Sequence, residues 1–267
     1  MAERYAVIGN PIAHSQSPWI HAEFARATGQ AIDYGRIEAP LKGFARAVDE
    51  FRAAGARGAN VTVPFKEDAF LYCRDSVTER ARVAGAVNTL VFEGKRVSGD
   101  NTDGVGLLRD LTVNLGRGLG GKRVLLMGAG GAALGVLGPL LAAKPARLVI
   151  ANRTADKARA LAQRFAGAAG GGYEELGAEQ FDFVINATSA GLADEAPPLA
   201  AGLFAPGALA YDMVYGRETP FLAAARAAGA EACDGTGMLV EQAAESFLVW
   251  RGVRPETAPV LAALRKR

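Results

Sequence analysis

The chain has 267 residues, half of them apolar and 22% charged, with a formal net charge of +2. The length accommodates two cores, and the composition excludes a disordered chain. Near-neutrality gives no electrostatic footprint for nucleic acid or for a membrane surface. Cys73 and Cys233 lack metal-ligand spacing and read as reduced thiols, which suits a cytoplasmic protein. The start, "MAERYAVIGN", has no signal-peptide run, and no stretch approaches the length of a membrane span.

In chain order, "YAVIGNP" is a short apolar strand stopped by Gly9, Asn10 and Pro11. "SPWIHAEFARATG" predicts a helix with Ser17 as N-cap, Pro18 at the first helical position and Gly29 as the stop. "DYGRIEA" is a second strand and "FARAVDEFRAAG" a second helix. "GANVTVP" alternates as a strand, with Val61 and Val63 on one face and Asn60 and Thr62 on the other, until Pro64 breaks it. Lys66 follows at once, opening the helix "KEDAFLYC". A lone amine at the carboxyl end of a strand stands where α/β proteins bind ligands, although a solvated lysine would also fit there. "AVNTLVFEGKRVSGDNTDG" predicts a hairpin turning at Glu93–Gly94.

A helix near residues 104–115 leads into a second series of alternating units. "GKRVLLMGAGGAALGVLGPLLAA" is strand, glycine-rich turn and long apolar helix; "ARLVIANRTADKARALAQRFAG" is strand then helix. "FDFVINATSAGL" and "GALAYDMVY" are buried strands, "TPFLAAARAAGA" is a helix, and "GMLVEQAAESFLVWRG" opens a helical end. The fold class is α/β with two domains, a mostly parallel N-terminal one and a Rossmann-type, dinucleotide-binding one. Residues 1–103 completed by 239–267 form the first, and 104–238 the second.

In "GAGGAA", Gly128 permits a tight turn, Gly130 admits a pyrophosphate, and Ala133 takes the last position of the GxGxxG pattern. Such a turn can also be purely structural. The end of the next strand, "IANRTADK", lacks the acid that would hold a ribose 2′-hydroxyl; Asn152 and Arg153 stand there, with Lys157 a turn later. A guanidinium pairs with a 2′-phosphate that a carboxylate would repel. Thr154 can cap the helix and present backbone N–H groups. A solvated helix start would look similar, but place and charge together favour NADP over NAD.

The chain resembles the NADP-dependent shikimate dehydrogenase family over nearly its whole length. The residues that carry this are "GNPIAHSQSP", "GANVTVPFK", "GAVNT", "GDNTDG", "GAGGAA", "NRT", "INATSAG", "YDMVY" and "GMLVEQAA". The resemblance implies reversible reduction of 3-dehydroshikimate to shikimate on the route to aromatic amino acids, with the first domain a substrate domain, the second an NADP domain, and a cleft between them. It implies that Ser15 and Ser17 bind the substrate carboxylate, that Asn60 and Thr62 lie beside the substrate, and that Lys66, Asn88 and Asp103 face its ring oxygens. Gln242 and Tyr215 complete that set. Lys66 and Asp103 are the implied catalytic pair, although an isolated Lys–Asp pair could equally be structural. For NADP it implies Gly128, Ala129, Gly130, Gly131, Ala132, Asn152, Arg153, Thr154, Lys157, Thr188, Met213 and Gly237, with Met238 also near the nicotinamide. Lys157 departs from the arginine often found there and loses its bidentate fork. No metal is implied, and His14 and His21 are given no role, His21 reading as a surface or packing residue. A small-molecule substrate is the expected partner, with the chain a monomer or homodimer. The alternatives are an NAD-using quinate/shikimate dehydrogenase, against which Arg153 and Ser17 speak, and a non-catalytic metabolite-binding regulator, which should have lost Lys66 or Asp103.

Overall fold

The computed structural model describes residues 2–188 and 198–267. The last three residues of "INATSAG" therefore lie outside the described residues. The chain divides into two compact units, Met1–Gly106 with Val240–Arg267, and Leu107–Leu239.

The first unit contains β1 (Glu3–Gly9), α1 (Ser17–Thr28), β2 (Ile32–Glu38), α2 (Phe44–Ala53), β3 (Gly58–Val61), α3 (Lys66–Cys73), α4 (Glu79–Ala84), β4 (Thr89–Glu93) and β5 (Arg96–Asp100). Its sheet has the order β2-β1-β3-β4-β5. β1 lies parallel to β2 and β3, and the hairpin β4–β5 joins antiparallel to β3. Ile8, Val61, Phe65 and Leu90 are buried in its core. Four local readings change. The β4–β5 turn falls at Gly94–Lys95, with Glu93 still paired to Arg96, and not at Glu93–Gly94. Gln16, not Ser17, is the N-cap of α1, and no side chain caps it; the Ser17 N–H donates instead to Ser15 Oγ at 3.3 Å. β3 stops at Val61, and Val63 is exposed rather than sharing Val61's buried face. The structure adds α4, a short helix capped by Thr78 and ended by Gly85 in the left-handed region, φ +63°.

Among the described residues the second unit holds a six-stranded, fully parallel sheet. It comprises β6 (Arg123–Met127), α6 (Gly131–Ala142), β7 (Arg147–Ala151), α7 (Ala155–Gln163), β8 (Ala168–Gly171), β9 (Phe181–Asn186), β10 (Phe204–Asp212), α8 (Pro220–Ala227) and β11 (Glu231–Cys233). The order β11-β10-β9-β6-β7-β8 places its first strand at the reversal point, the dinucleotide-binding topology. β8 and β11 are too short and too weakly apolar to announce themselves. Two helices carry the chain between units: α5 (Asp103–Arg109), which runs into a π-helical turn at Asp110–Asn114, and α9 (Thr236–Arg251). α10 (Ala258–Leu264) follows in the first unit.

Candidate active site

Phe65 is fully buried and stacks on Phe44 with centroids 5.3 Å apart. This anchor fixes where the next residue, Lys66, emerges. Lys66 opens α3, where the helix dipole disfavours a cation, and Glu67 and Asp68 follow in the same turn to offset it. The Lys66 Nζ lies 2.6 Å from Asp103 Oδ2. Asp103 is wholly buried, whereas the Lys66 side chain keeps 16% of its surface. An ammonium that is held by a buried carboxylate and still reaches solvent can exchange a proton with a ligand.

Asp103 is itself held on both sides. Its N–H donates to Asn101 Oδ1 at 3.1 Å, and its Oδ1 accepts from Asn88 Nδ2 at 2.8 Å. The Asn88 amide cannot be turned over. The Thr102 N–H donates to its Oδ1 at 2.9 Å, and the Thr89 hydroxyl does so at the same distance. The amide nitrogen consequently faces Asp103, Thr102 Oγ1 at 2.9 Å and Gln242 Oε1 at 3.2 Å. Of the predicted substrate residues, Lys66, Asn88, Asp103 and Gln242 thus form one hydrogen-bonded group. Asn60 joins it through the backbone carbonyl of Asn88, 3.1 Å from its Nδ2.

Asn60 differs from the others. Its Nδ2 also approaches Ser246 Oγ at 3.0 Å and Thr89 Oγ1 at 3.3 Å, while its Oδ1 accepts from the Tyr34 hydroxyl at 2.6 Å. Both amide protons have acceptors inside the protein. Burial raises the Tyr34 phenol well above its usual range, with Ser17 opposing, so the hydroxyl remains a donor. His21 stacks on Tyr34 at 4.2 Å and is completely buried, which excludes the surface reading. Burial pushes its imidazole down to about 3, and it packs here as a neutral ring.

Ser15 and Ser17 are both buried at the entrance to α1. Arg36 on β2 donates from Nε and Nη2 to the Ser15 carbonyl, at 3.1 and 2.5 Å, and so fixes that peptide. Because Ser15 Oγ already accepts the Ser17 N–H, its own proton is available to an anion. Thr62 follows β3 and is half-buried, its N–H bonded to the Ile8 carbonyl at 2.9 Å. Sequence reasoning missed Arg36, Tyr34 and Ser246. None lies in a motif of recognised chemistry.

In the second unit, β6 gives way to Gly128 at φ +109°, a conformation that L side chains rarely adopt. Gly130 caps α6, and a methyl group at Gly130 or Gly131 would meet open space, so a ligand can approach this backbone closely. The last position, Ala133, is fully buried. Ala129 and Ala132 are partly buried against the unit's core. Beyond β7, the Asn152 Nδ2 donates to the Thr154 carbonyl at 3.0 Å, and Arg153, Thr154 and Lys157 are exposed. Thr154 stands at the N-cap of α7, but its side chain makes no capping bond, contrary to expectation. These are residues that fit NADP: open backbone N–H groups at a helix start, and two exposed cations.

Thr188 donates from both N–H and hydroxyl to Asn186 Oδ1, at 3.1 and 2.7 Å, and the Met213 N–H bonds the Asn186 carbonyl at 2.9 Å. Tyr215 follows in the half-buried segment after β10. Burial raises the carboxyl of the neighbouring Asp212, despite bonds from Thr219 and the Val214 N–H. Gly237, in the first turn of α9, faces the buried Asp110: a Cβ there would stand 1.9 Å from Asp110 Oδ1. Asp110 also accepts from the Tyr211 hydroxyl at 2.6 Å and from Asn114 Nδ2 at 2.9 Å. The Met238 N–H donates to that tyrosine oxygen at 3.3 Å.

Comparison with known proteins adds three family matches. "Shikimate dehydrogenase substrate binding domain" matches residues 7–90, "Shikimate / quinate 5-dehydrogenase" residues 111–193, and "Shikimate 5'-dehydrogenase C-terminal domain" residues 235–265. The chain is 61% identical over 272 residues to the shikimate dehydrogenase (NADP(+)) of Dechloromonas aromatica, covering 100% of this chain and 99% of that one. It is equally identical over 273 residues to the enzyme of that name from Aromatoleum aromaticum, covering 99% and 98%. Among solved structures, an Ael1 enzyme from Pseudomonas putida superposes with a TM-score of 0.93 at 50% identity, covering 98% of each chain. Shikimate 5-dehydrogenase from Thermus thermophilus, in complex with NADP(H) and shikimate, does so at 0.88 and 36% identity, covering 99% of each.

Proposed function

The chain belongs to the NADP-dependent shikimate dehydrogenase family, an oxidoreductase of the shikimate pathway, and from that premise we propose that Lys66 and Asp103 carry its proton transfer. Bound NADP supplies the hydride chemistry, as donor when reduced and acceptor when oxidised. As charge grows on the ketone oxygen of 3-dehydroshikimate, the Lys66 ammonium donates a proton to it; in the reverse direction the amine takes the proton back. Asp103 holds Lys66 and accepts from the same hydroxyl. Asn88 and Gln242 read neighbouring ring oxygens, Ser15 and Ser17 receive the carboxylate, and Thr62 lines the same site. The observation that carries this reading is the 2.6 Å contact between a partly open ammonium and a buried carboxylate that Asn88 orients.

We assign residues 1–103 with 239–267 to the substrate and 104–238 to NADP. Gly128, Ala129, Gly130, Gly131 and Ala132 would hold the pyrophosphate, and Asn152, Arg153, Thr154 and Lys157 the adenosine end. Thr188, Met213 and Gly237 would line the nicotinamide end. We propose the cytoplasm as the compartment, on the reading of Cys73 and Cys233 as reduced thiols. The test is absorbance at the nicotinamide band with shikimate and NADP, run beside quinate and NAD. Rapid reduction only in the first combination is the expected result. Equal rates with quinate and NAD would favour the broader dehydrogenase.

A further inference from the structure

Ser246 lies within α9, one turn after Gln242, with no exposed surface. Its neighbours on the helix, Ala244 and Phe247, are apolar and equally buried, so a helix that only packed here would need no hydroxyl. Four polar groups nevertheless surround Ser246 Oγ. It donates back to the Gln242 carbonyl at 3.0 Å. It accepts from Asn60 Nδ2 at 3.0 Å, and the hydroxyls of Thr89 and Thr102 lie within hydrogen-bond distance of it, at 2.8 and 3.2 Å.

These partners come from separate segments: β3, β4, the link into α5, and α9 itself. Each coincides with or adjoins a residue assigned to the substrate. Asn60 is one; Thr89 follows Asn88; Thr102 precedes Asp103; Gln242 is another. None of the hub's own hydroxyls belongs to that set.

We propose that Ser246 is a positioning residue, whose hydroxyl holds Asn60, Thr89 and Thr102 in one arrangement and through them presents Asn88 and Asp103 to the substrate. Asn60 belongs to this scaffold as an internal strut, because both its amide protons are already taken up within the protein. Tyr34 closes the chain from the other side by donating to Asn60 Oδ1. A half-satisfied buried network loses its unique geometry, so removing either end frees the Asn60 amide to turn and loosens the asparagine beside Asp103. This inference rests on the dehydrogenase reading above.

The experiment is steady-state kinetics of the full chain for Ser246→Ala, Tyr34→Phe and the double variant, with KM determined separately for shikimate and for NADP. The expected result is a five- to tenfold rise in KM for shikimate in each single variant, roughly one buried hydrogen bond's worth, with KM for NADP within twofold of the parent. The double variant should be little worse than either single one, since both act on the same amide. Should Ser246→Ala fail to fold, Tyr34→Phe, at a half-buried position, carries the same expectation. A shikimate KM within twofold of the parent in the variants that fold would overturn the inference while leaving the dehydrogenase reading intact. So would parallel rises in both KM values, which would mark a general loss of structure. A parent inert towards shikimate and NADP overturns both.

Discussion

The polar groups that converge on Asp103 in the first unit are side chains, and Asn88, Thr89, Thr102 and Ser246 among them are almost entirely buried. At the glycine turn of the second unit the available groups are backbone amides, and the charges beyond β7 stand in solvent. On the assignment proposed above, the difference follows from what each unit would recognise. A small ring with several oxygens offers donors and acceptors in a fixed pattern, and only oriented amides and hydroxyls can match it. A phosphate offers charge and many equivalent acceptors, so a helix start and a flexible cation suffice. The first solution needs many segments to agree on one geometry; the second needs one turn.

The sharpest way to break that contrast is to remove the ammonium. Lys66→Ala should lower kcat by about 10²–10⁴-fold, the usual contribution of a general acid–base group, with shikimate KM within a few-fold. Asp103→Asn should lower kcat as well, and the double variant should be little worse than the poorer single one. A kcat for folded Lys66→Ala within a few-fold of the parent would reduce Lys66 to a structural residue.

Arg153 tests the other half. On the proposed assignment Arg153→Ala would remove a charge-assisted contact of about 1.5–3 kcal/mol, so KM for NADP should rise about tenfold or more while NAD is little affected. Equal losses with both cofactors would show that it does not read the 2′-phosphate.

The buried side of the first unit also carries an acid liability. His21, pushed down to about 3 by burial, binds a proton in the unfolded chain well before it does so in the folded one. Its contribution to stability is therefore complete above about pH 6.5 and is lost progressively as pH falls towards 3, by about 2 kcal/mol at pH 5. His21→Phe should flatten the acid limb of Tm against pH. An unchanged slope would mean that other groups govern it. The smallest effect is ionic: exposed cations are screened by salt and buried pairs much less. Raising ionic strength from about 0.05 to about 0.5 M should raise KM for NADP and leave the kcat attributed to Lys66 and Asp103 nearly unmoved.

What could be read in the sequence follows the same division. The strand–turn–helix at Gly128 is a local pattern, and the Lys66 helix and the β4–β5 hairpin were likewise legible from neighbouring residues. Lys66 meeting Asp103 was implied only by resemblance, since 37 positions separate them. Ser246 and Tyr34 were invisible, because their partners lie 186 and 26 positions from them. Short β8, of sequence AAGG, carries no periodicity to find. Ser17 was misplaced as a cap because a serine before proline is a good statistical start, whereas here Ser15 takes that N–H.

The closeness of Gly237 to Asp110 has a consequence for how such a chain can change. A methyl group at position 237 would collide with a carboxylate that Tyr211 and Asn114 also bind. Replacing the glycine alone forces that acid aside, and replacing the acid alone leaves the Tyr211 hydroxyl proton without its acceptor in the core. Each single step is therefore harmful, even where the pair of changes together could be tolerated. Mutational libraries that vary one position at a time should find both sites closed, while libraries that vary 110, 211 and 237 jointly can reach alternatives to them.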